Sequence, residues 1–339
     1  MSASIIEKAV EHLQAGELVA LPTETVYGLG ADATNPAAVA GIFAAKGRPA
    51  DHPLIVHLAD AASLAQWAQD IPQAAWDLAA AFWPGPLTLI LKKQPWVPLA
   101  VTGGQDTVGL RVPAHPLTLE VLAAFAAARA PGAAGVAAPS ANRFGRVSPT
   151  TAAHVREELG DKVSLVLDGG PCAVGIESTI VDFSRGAPEI LRPGVIGPDE
   201  IARVIGVSPH VRGRTAEGTE VAAAAHMPRV SGSLAAHYAP LTPLQRVKSD
   251  ALAEEVARLA RAGRRFAVLA HGACTLRDAS VHWQAAAPEP AAYAHELYAN
   301  LRALDAVGAE VILVEEVPSG SAWQAIADRL GRAEAGQKT

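Results

Sequence analysis

Two cations stand close together in the segment Lys46–Pro49. Pro49 disfavours helical backbone at Arg48 and extends the chain there, so the side chains of Lys46 and Arg48 can point into one cleft. Such a pair suits a carboxylate or a phosphate group. Cations are also favourable at the C-terminus of a helix, and for this segment taken alone a solvated helix end is the better explanation.

An arginine also stands inside a predicted apolar strand, between Asp106 and Pro113. A strand arginine such as Arg111 normally has a partner or a ligand, because leaving the charge buried alone is costly. An arginine on an edge strand that reaches solvent is the less favoured alternative. The segment therefore offers a second candidate anion site.

Polar residues follow the first predicted strand, in the segment 21–30. The strand ends at Pro22, and hydroxyls, one carboxylate and two glycines come after it. Loops at strand ends often carry ligand groups in open α/β sheets, and glycines let the backbone approach a ligand closely. A tight turn capped by threonine side chains explains the same residues equally well.

A Ser-x-Asn turn ends a strand of small residues near 135–138. Ser140 and Asn142 can donate hydrogen bonds to phosphate or ribose oxygens, and nearby backbone N–H groups can form an anion nest. A polar turn before a helix capped by Thr150 is the structural alternative, and both interpretations can hold at once. The segments 177–180 and 191–194 are weak signals when each is taken alone.

The charge balance argues against a nucleic-acid-binding protein. The formal net charge is -6 and the pI is about 6.0, and no run of Lys or Arg stands out. A protein that contacts many phosphates usually shows a basic excess. We therefore expect the basic residues to converge on a small anionic ligand.

Several site classes are excluded by missing motifs. The two cysteines, Cys172 and Cys274, form no Cys-x-x-Cys pair, so we expect reduced thiols rather than a zinc or redox motif. A P-loop, a nucleophile elbow and a His-Glu-x-x-His motif are all missing. The N-terminal residues do not resemble a signal peptide, and no run of eighteen apolar residues occurs, so we expect a cytoplasmic protein without a membrane span.

The 339 residues suit two domains. Irregularly mixed helices and strands predict an open, twisted α/β sheet in residues 1–206, and 207–240 has the composition of a linker. Cleaner alternation in 241–339 predicts a smaller, mostly parallel, Rossmann-like domain. It lacks Gly-x-Gly-x-x-Gly, so dinucleotide binding is not supported there. The predicted strands are 18–21, 54–58, 87–91, 107–112, 135–138, 164–168, 177–183, 242–247, 266–270 and 310–314. The predicted helices are 2–15, 36–46, 60–69, 72–82, 116–128, 150–158, 250–262, 290–306 and 322–332.

Taken together and in order, these segments resemble the threonylcarbamoyl-AMP synthase family, whose catalytic module is the YrdC-like domain. The resemblance rests on the following motifs: PTETVYGLG at 22–30, KGRP at 46–49, HPLIVH at 52–57, WPGPLTLIL at 83–91, TVGLRVP at 107–113, APSAN at 138–142, ESTIVD at 177–182 and LRPG at 191–194. HYAP at 237–240 resembles the end of the linker of two-domain members. The match covers about 1–240 through motifs and the remainder through position and pattern.

The resemblance implies an open, twisted sheet around a concave, electropositive cavity. It also implies a synthase that joins L-threonine, bicarbonate and ATP into threonylcarbamoyl-AMP and releases pyrophosphate. The product serves a separate transferase that modifies tRNA to N6-threonylcarbamoyladenosine. Because the substrates are anionic and repel one another, cations must bring them together, and catalysis needs positioning and charge stabilisation rather than a protein nucleophile.

The resemblance assigns a role to individual residues. The implied catalytic group is Lys46, Arg48, Arg111, Ser140 and Asn142. The implied threonine contacts are Thr25, His57, Arg111, Ala138 and Ser178. The implied ATP contacts are Arg48, His52, Thr107, Ser140, Ser148, Arg192 and Tyr238. Tyr238 lies in the linker, so its contact with ATP would make the linker a lid. Mg²⁺ is expected with ATP, held by the phosphates, because no carboxylate cluster is evident.

Two other functions are alternatives to the synthase. One is a YrdC-like module that binds double-stranded RNA without catalysis, and the negative net charge argues against it. The other is a carbamoyl-transfer enzyme of hydrogenase maturation, which needs cysteine-rich zinc segments that two cysteines cannot supply. The expected partners are small molecules and a transferase complex that receives the product, with no stable nucleic-acid binding and no membrane.

Overall fold

The computed structural model describes residues 3–211, 228–272 and 281–336. The chain forms two compact units. The first comprises Met1–Phe144, Pro149–Ala173 and Glu177–Ser233, and the second comprises Gly145–Ser148, Val174–Ile176 and Leu234–Thr339. Part of the predicted linker, 212–227, and Cys274 lie outside the described residues.

The first unit is built on one mixed sheet of ten strands. Its strands are β1 (Val19–Leu21), β2 (Gly28–Asp32), β3 (Ile55–His57), β4 (Leu87–Lys92), β5 (Thr107–Arg111), β6 (Val136–Ala137), β7 (Leu165–Val166), β8 (Thr179–Asp182), β9 (Glu189–Arg192) and β10 (His210–Val211). They pair in the order β10-β9-β8-β4-β5-β3-β6-β2-β1-β7. The two end strands do not pair with each other, so the sheet is open, which confirms the predicted α/β class.

Eight α-helices accompany this sheet in the described part of the first unit. They are α1 (Ala3–Gln14), α2 (Pro36–Lys46), α3 (Leu64–Trp67), α4 (Gln73–Phe82), α5 (Leu99–Thr102), α6 (Pro116–Arg129), α7 (Ala152–Leu159) and α8 (Pro198–Ile205). The predicted helix at 60–69 is wrong as one element, because a 3-10 turn at Ala61–Ser63 precedes the short α3. Helix α8 was not predicted.

The bounds of α2 follow from its flanking residues. The Asn35 side chain accepts hydrogen bonds from the N–H groups of Ala37 and Ala38, and Pro36 starts the helix. Gly47 ends it with φ 63°, a left-handed conformation that favours glycine. The predicted helix 36–46 is therefore confirmed, and Lys46 is its last residue.

Alternate residues of the strands enter different parts of the core, as the period of two requires. Ala20 of β1 packs with Val56, Leu110 and Val181 in the largest apolar cluster. Its neighbours Val19 and Leu21 instead pack in a second cluster with side chains of α1 and α6. Helices α1 and α6 therefore cover the second face of the sheet only near β1 and β6.

The second unit is built on a four-stranded sheet in which every pair is parallel. Its strands are β11 (Leu244–Val247), β12 (Phe266–Ala270), β13 (Val281–Ala285) and β14 (Val311–Glu315), in the order β11-β14-β12-β13. Its helices are α9 (Ser249–Arg261), α10 (Pro290–Ala306) and α11 (Gln324–Ala335). The predicted small parallel domain is confirmed, although β13 was missed. In the described ranges, no helix is both long and apolar enough to cross a bilayer.

Candidate functional site

The strand pattern brings several of the predicted residues to one sheet face. Val56, Leu110 and Val181 point into the largest apolar cluster, so the alternate residues of β3, β5 and β8 face the other way. That second set includes His57 and Arg111, and strands β3 and β5 place these two directly opposite each other in register. The face opposite the largest cluster is therefore the candidate site.

Arg111 is buried at 4% exposure and donates to three different oxygens. Nη2 donates to Glu24 Oε1 at 2.6 Å, Nη1 to Thr25 Oγ1 at 2.9 Å and Nε to the Gly85 carbonyl at 3.1 Å. A guanidinium has five N–H donors, so two are left for a ligand. The geometry leaves Arg111 able to bind a carboxylate.

Glu24 is the partner that the sequence did not indicate. Its second oxygen, Oε2, accepts a hydrogen bond from the Ala114 N–H at 2.9 Å. The carboxylate thus connects the loop after β1 to the segment after β5. Removing one partner of a buried ion pair is strongly destabilising, so we expect Glu24 to fix the position of Arg111.

His57 is a buried histidine at 3% exposure. Its Nδ1 has no hydrogen-bond partner in the described part of the chain. Burial, and then the Arg111 charge, lower the pKa of His57 well below its usual value, so the ring is neutral at pH 7. A neutral ring with an unused nitrogen can bind a polar group of a ligand.

The loop after β1 is held by its own hydroxyls and by a tyrosine. Thr23 Oγ1 lies 2.9 Å from Thr25 Oγ1 and donates to the Val26 carbonyl at 2.6 Å. Tyr27 Oη donates to the Gly170 carbonyl at 2.8 Å, and burial raises the pKa of Tyr27 to about 12. The turn is therefore held by threonine hydroxyls, as the structural interpretation predicts, and it places Thr25 beside Arg111.

Lys46 fastens the Ser-x-Asn turn to the end of α2. Its Nζ donates to the carbonyls of Ser140 and Asn142, and its own carbonyl accepts from the Phe144 N–H at 2.8 Å. Burial, followed by the Arg48 charge, lowers the pKa of Lys46 well below its usual value. An ammonium group has three N–H donors, so one is left for a phosphate or carbamate oxygen.

Arg48 and Arg192 approach the same residue from separate segments. Arg48 Nη2 donates to Ser231 Oγ at 3.1 Å, and Arg192 Nη1 donates to the Ser231 carbonyl at 2.8 Å. Arg192 also donates to the hydroxyl and the carbonyl of Ser178, both at 3.0 Å. The Ser178 hydroxyl lies 2.8 Å from that of Thr88. Ser231 therefore joins two of the predicted ATP contacts.

His52 lies beside this group. Its ring meets the Phe144 ring edge to face, with centroids 5.4 Å apart. Burial and the Arg48 charge lower the pKa of His52. The Arg48 charge is therefore close enough to affect the protonation of His52.

Thr107 lines a small, open cleft in the first unit. The cleft is bounded by Pro53, Gln105, Thr107 and the segment Arg229–Ser231. Val230 is buried against apolar side chains of β3, β4, β8 and β9, on the candidate face. The cleft thus adjoins Arg48 and Arg192 through Ser231.

Three predicted residues have other surroundings. The Ala138 N–H is used by the Ile55 carbonyl at 2.9 Å, so its carbonyl is the group left for a ligand. Ser148 belongs to the second unit, where its carbonyl accepts from Arg302 at 3.4 Å. Tyr238 also belongs to the second unit, with its ring stacked 5.7 Å from Tyr298 and 5.4 Å from the Arg329 guanidinium. Roles for Ser148 and Tyr238 at ATP stay predictions.

Glu24, Thr88 and Ser231 are the residues that the sequence did not indicate. Their hydrogen-bond partners are Arg111, Ser178 and Arg192, respectively, and each partner lies at least 39 positions away in the sequence. Among the residues that the structure describes, no cluster of three or more His, Cys, Asp or Glu side chains could hold a metal ion.

Comparisons with known proteins cover both units. Residues 11–194 match a family described as telomere recombination, which groups Sua5, YciO and YrdC, and residues 196–335 match a family described as the C-terminal domain of threonylcarbamoyl-AMP synthase. A threonylcarbamoyl-AMP synthase of Pyrococcus abyssi is 38% identical over 97% of this chain and 93% of its own length. One of Bacillus subtilis is 37% identical over 98% of this chain and 93% of its own length.

A solved structure agrees with these matches. The crystal structure of Pyrococcus abyssi Sua5 complexed with L-threonine superposes with a TM-score of 0.86 at 37% identity, covering 99% of this chain and 96% of that one. A double-substituted variant of the same protein also superposes with a TM-score of 0.86, at 36% identity over 98% and 93% of the two chains.

Proposed function

Because this chain belongs to the threonylcarbamoyl-AMP synthase family, we propose that it condenses L-threonine, bicarbonate and ATP into threonylcarbamoyl-AMP and pyrophosphate. It acts as a nucleotidyltransferase. The product is the activated donor for N6-threonylcarbamoyladenosine at position 37 of tRNA.

The burial of four cations in one unit carries the proposal. Lys46, Arg48, Arg111 and Arg192 are exposed by 7% or less. Taking charged groups out of water is expensive. Anionic substrates compensate that cost when they occupy the site, and they in turn need cations to approach one another.

The threonine side of the reaction involves β3, β5 and the loop after β1. The two unused N–H donors of Arg111 take the carboxylate of L-threonine. Thr25, His57, the Ala138 carbonyl and Ser178 surround the rest of the amino acid. The threonine amine and bicarbonate give a carbamate with loss of water.

The nucleotide side involves the arginines around Ser231 and the turn at Ser140. Arg48, Arg192 and the remaining donor of Lys46 hold the phosphates, and His52, Thr107, Ser140 and Asn142 complete the contacts. The carbamate carboxylate attacks the α-phosphorus, and pyrophosphate leaves. Preorganised donors lower the barrier by stabilising charge, each by about 10²–10³-fold in rate.

Mg²⁺ accompanies ATP in this proposal and is held by its phosphates. Ser148 and Tyr238 are further ATP contacts in the same proposal. The protein works in the cytoplasm and passes its product to a transferase complex that modifies tRNA, without stable nucleic-acid binding of its own.

A pyrophosphate-release assay tests the proposal. Reactions contain ATP, Mg²⁺, bicarbonate and either L-threonine, L-serine or no amino acid. We expect release that depends on L-threonine and bicarbonate, and loss of the threonine dependence in Arg111→Ala. Arg185→Ala is the matched control, because Arg185 lies in the connection between β8 and β9 and pairs with Asp182 and Glu189. Release that is independent of amino acid would contradict the function.

A further inference from the structure

The second unit has a topological switch point between β12 and β14. These two strands are neighbours, and β13 lies beyond β12 on one side. On the other side, the chain leaving β14 returns as α11, which packs against β11. The chain therefore continues from β12 towards one side of the sheet and from β14 towards the other side. In open parallel sheets, ligands bind in the crevice outside the carboxyl ends of such strands.

An aromatic cluster stands at this crevice. His271 directly follows β12, Tyr293 lies in the first turn of α10, and Trp323 lies just before α11. The three ring centroids are 5.6–5.7 Å from one another. Three elements thus direct rings to the end of the switch point.

Two polar atoms in this cluster have no partner. In the part of the chain that the structure describes, Tyr293 Oη and His271 Nε2 are both buried without a hydrogen bond. Tyr293 is only 3% exposed, and burial followed by the Glu315 charge raises the pKa of its hydroxyl. A buried polar group without a partner destabilises the protein, so a bound molecule that satisfies both atoms would be stabilised.

The charge at the crevice is negative. Glu315 ends β14 and accepts a hydrogen bond from the His271 N–H at 2.8 Å, and Glu316 follows it. Neither carboxylate forms an ion pair with another residue in the part of the chain that the structure describes. Aromatic ring faces are also electronegative and attract cations.

Two exposed glycines flank the crevice. Gly272 follows His271, and Gly320 precedes the turn that carries Trp323. Among the described residues, no atom lies close to the place where a side chain would project from either glycine. Within that part of the chain, a ligand therefore has room beside the aromatic cluster.

We propose that this crevice is a binding site for a small organic ammonium ion. The ammonium group lies against Glu315 and the aromatic rings, and it donates to Tyr293 Oη and to the unprotonated Nε2 of His271. An anion is rejected by the two carboxylates, and a neutral molecule of the same shape lacks the charge. The site is independent of the residues of the proposed synthase.

Three probes of one shape test the inference on the full chain: n-butylammonium, 1-butanol and butyrate. Binding is titrated by saturation-transfer NMR at constant ionic strength. We expect saturable binding of butylammonium that is at least about 10-fold tighter than that of the other two, the value of one charged hydrogen bond. Tyr293→Phe and Glu315→Gln should each weaken it by about 10-fold or more.

Matched controls locate the site. Tyr298→Phe removes a hydroxyl from the same helix, and Glu334→Gln removes a carboxylate that pairs with Arg246; both should bind like the parent. Binding that is absent, that is equal for the three head groups, or that survives both Tyr293→Phe and Glu315→Gln would overturn the inference. Water alone would then provide the hydrogen bonds of the two unpartnered atoms.

Discussion

Arg111 and Glu24 are each held by more than one element, since Arg111 donates to three oxygens and Glu24 accepts from two donors. Each side chain restricts the other, so the guanidinium can present its free donors in only one direction. Pre-set donors of this kind bind a carboxylate without losing further side-chain entropy. The pair also carries no net charge, which favours a zwitterionic amino acid over a simple anion.

Glu24→Gln should raise the KM for L-threonine by about 10- to 100-fold, the worth of one charge-assisted hydrogen bond. The KM for ATP should change by no more than about 2-fold, because the hydrogen bonds that the structure describes for Glu24 go to Arg111 and Ala114. Steady-state pyrophosphate release measures both constants. Glu24→Asp should recover part of the loss, and Glu189→Gln, in the surface pair with Arg185, is the control. An unchanged threonine KM would show that Arg111 needs no partner.

His57 links protonation to stability. Burial and Arg111 lower its folded-state pKa well below 6.5, so the unfolded chain binds a proton that the folded chain does not. Stability from the neutral ring is therefore complete above pH 6.5 and is lost as the pH falls towards the folded pKa. In that pH range the free energy of unfolding of the parent should fall by up to about 1.4 kcal/mol per pH unit. The His57→Gln variant should not show this loss. Urea unfolding at pH 7 and pH 5 measures the difference, and equal losses would contradict it.

The sequence was sufficient for some site residues and insufficient for others. Arg111 could be predicted because a charge inside an apolar strand needs a partner. Glu24 could not, because its segment suits an ordinary turn and its partner lies 87 positions away. Ser231 is a similar case, since its contact with Arg48 joins positions 183 apart. Such pairings are set by tertiary structure and have no local signature.

At the scale of elements, α2 and β2 show what local chemistry decides. The cap at Asn35 and the proline at 36 are local signals, and the start of α2 was predicted from them. The glycine at 47 is a local signal for the end of the helix. Strand β2 carries two glycines and an aspartate, a composition that suits a loop. It is a strand because it is completely buried between β1 and β6. Packing overrides propensity there.

Two glycine substitutions separate these effects. In Gly30→Ala the new Cβ would lie 2.9 Å from Val136 Cγ1 and 3.0 Å from the Val19 carbonyl. Overpacking of this kind typically costs about 1–3 kcal/mol. In Gly41→Ala the nearest atom is 3.6 Å away, and alanine favours the interior of α2, so stability should be unchanged or rise by up to about 1 kcal/mol. Urea unfolding measures the change in the free energy of unfolding for both variants. Equal changes would show that β2 accommodates the added methyl group without loss of stability.

At the scale of the whole molecule, the charge distribution favours the binding of small anionic substrates over the binding of a nucleic acid. The net charge is -6, while the cations of the candidate site are buried rather than displayed. Buried cations reach small anions that enter the site, and they cannot follow a nucleic-acid backbone.

Salt dependence therefore tests the function of the entire chain. A protein that neutralises six to ten phosphates loses about 10³–10⁵-fold in affinity between 50 and 200 mM salt. We expect no retention of a double-stranded RNA in filter binding at about 150 mM salt, and a change of no more than about 3-fold in threonine-dependent pyrophosphate release across the same range, because interactions between buried groups are little screened. Tight RNA binding with a steep salt slope, together with no threonine-dependent release, would instead favour the RNA-binding module. Release that collapses with salt while RNA stays unbound would show that the cations are more open to solvent than their burial indicates.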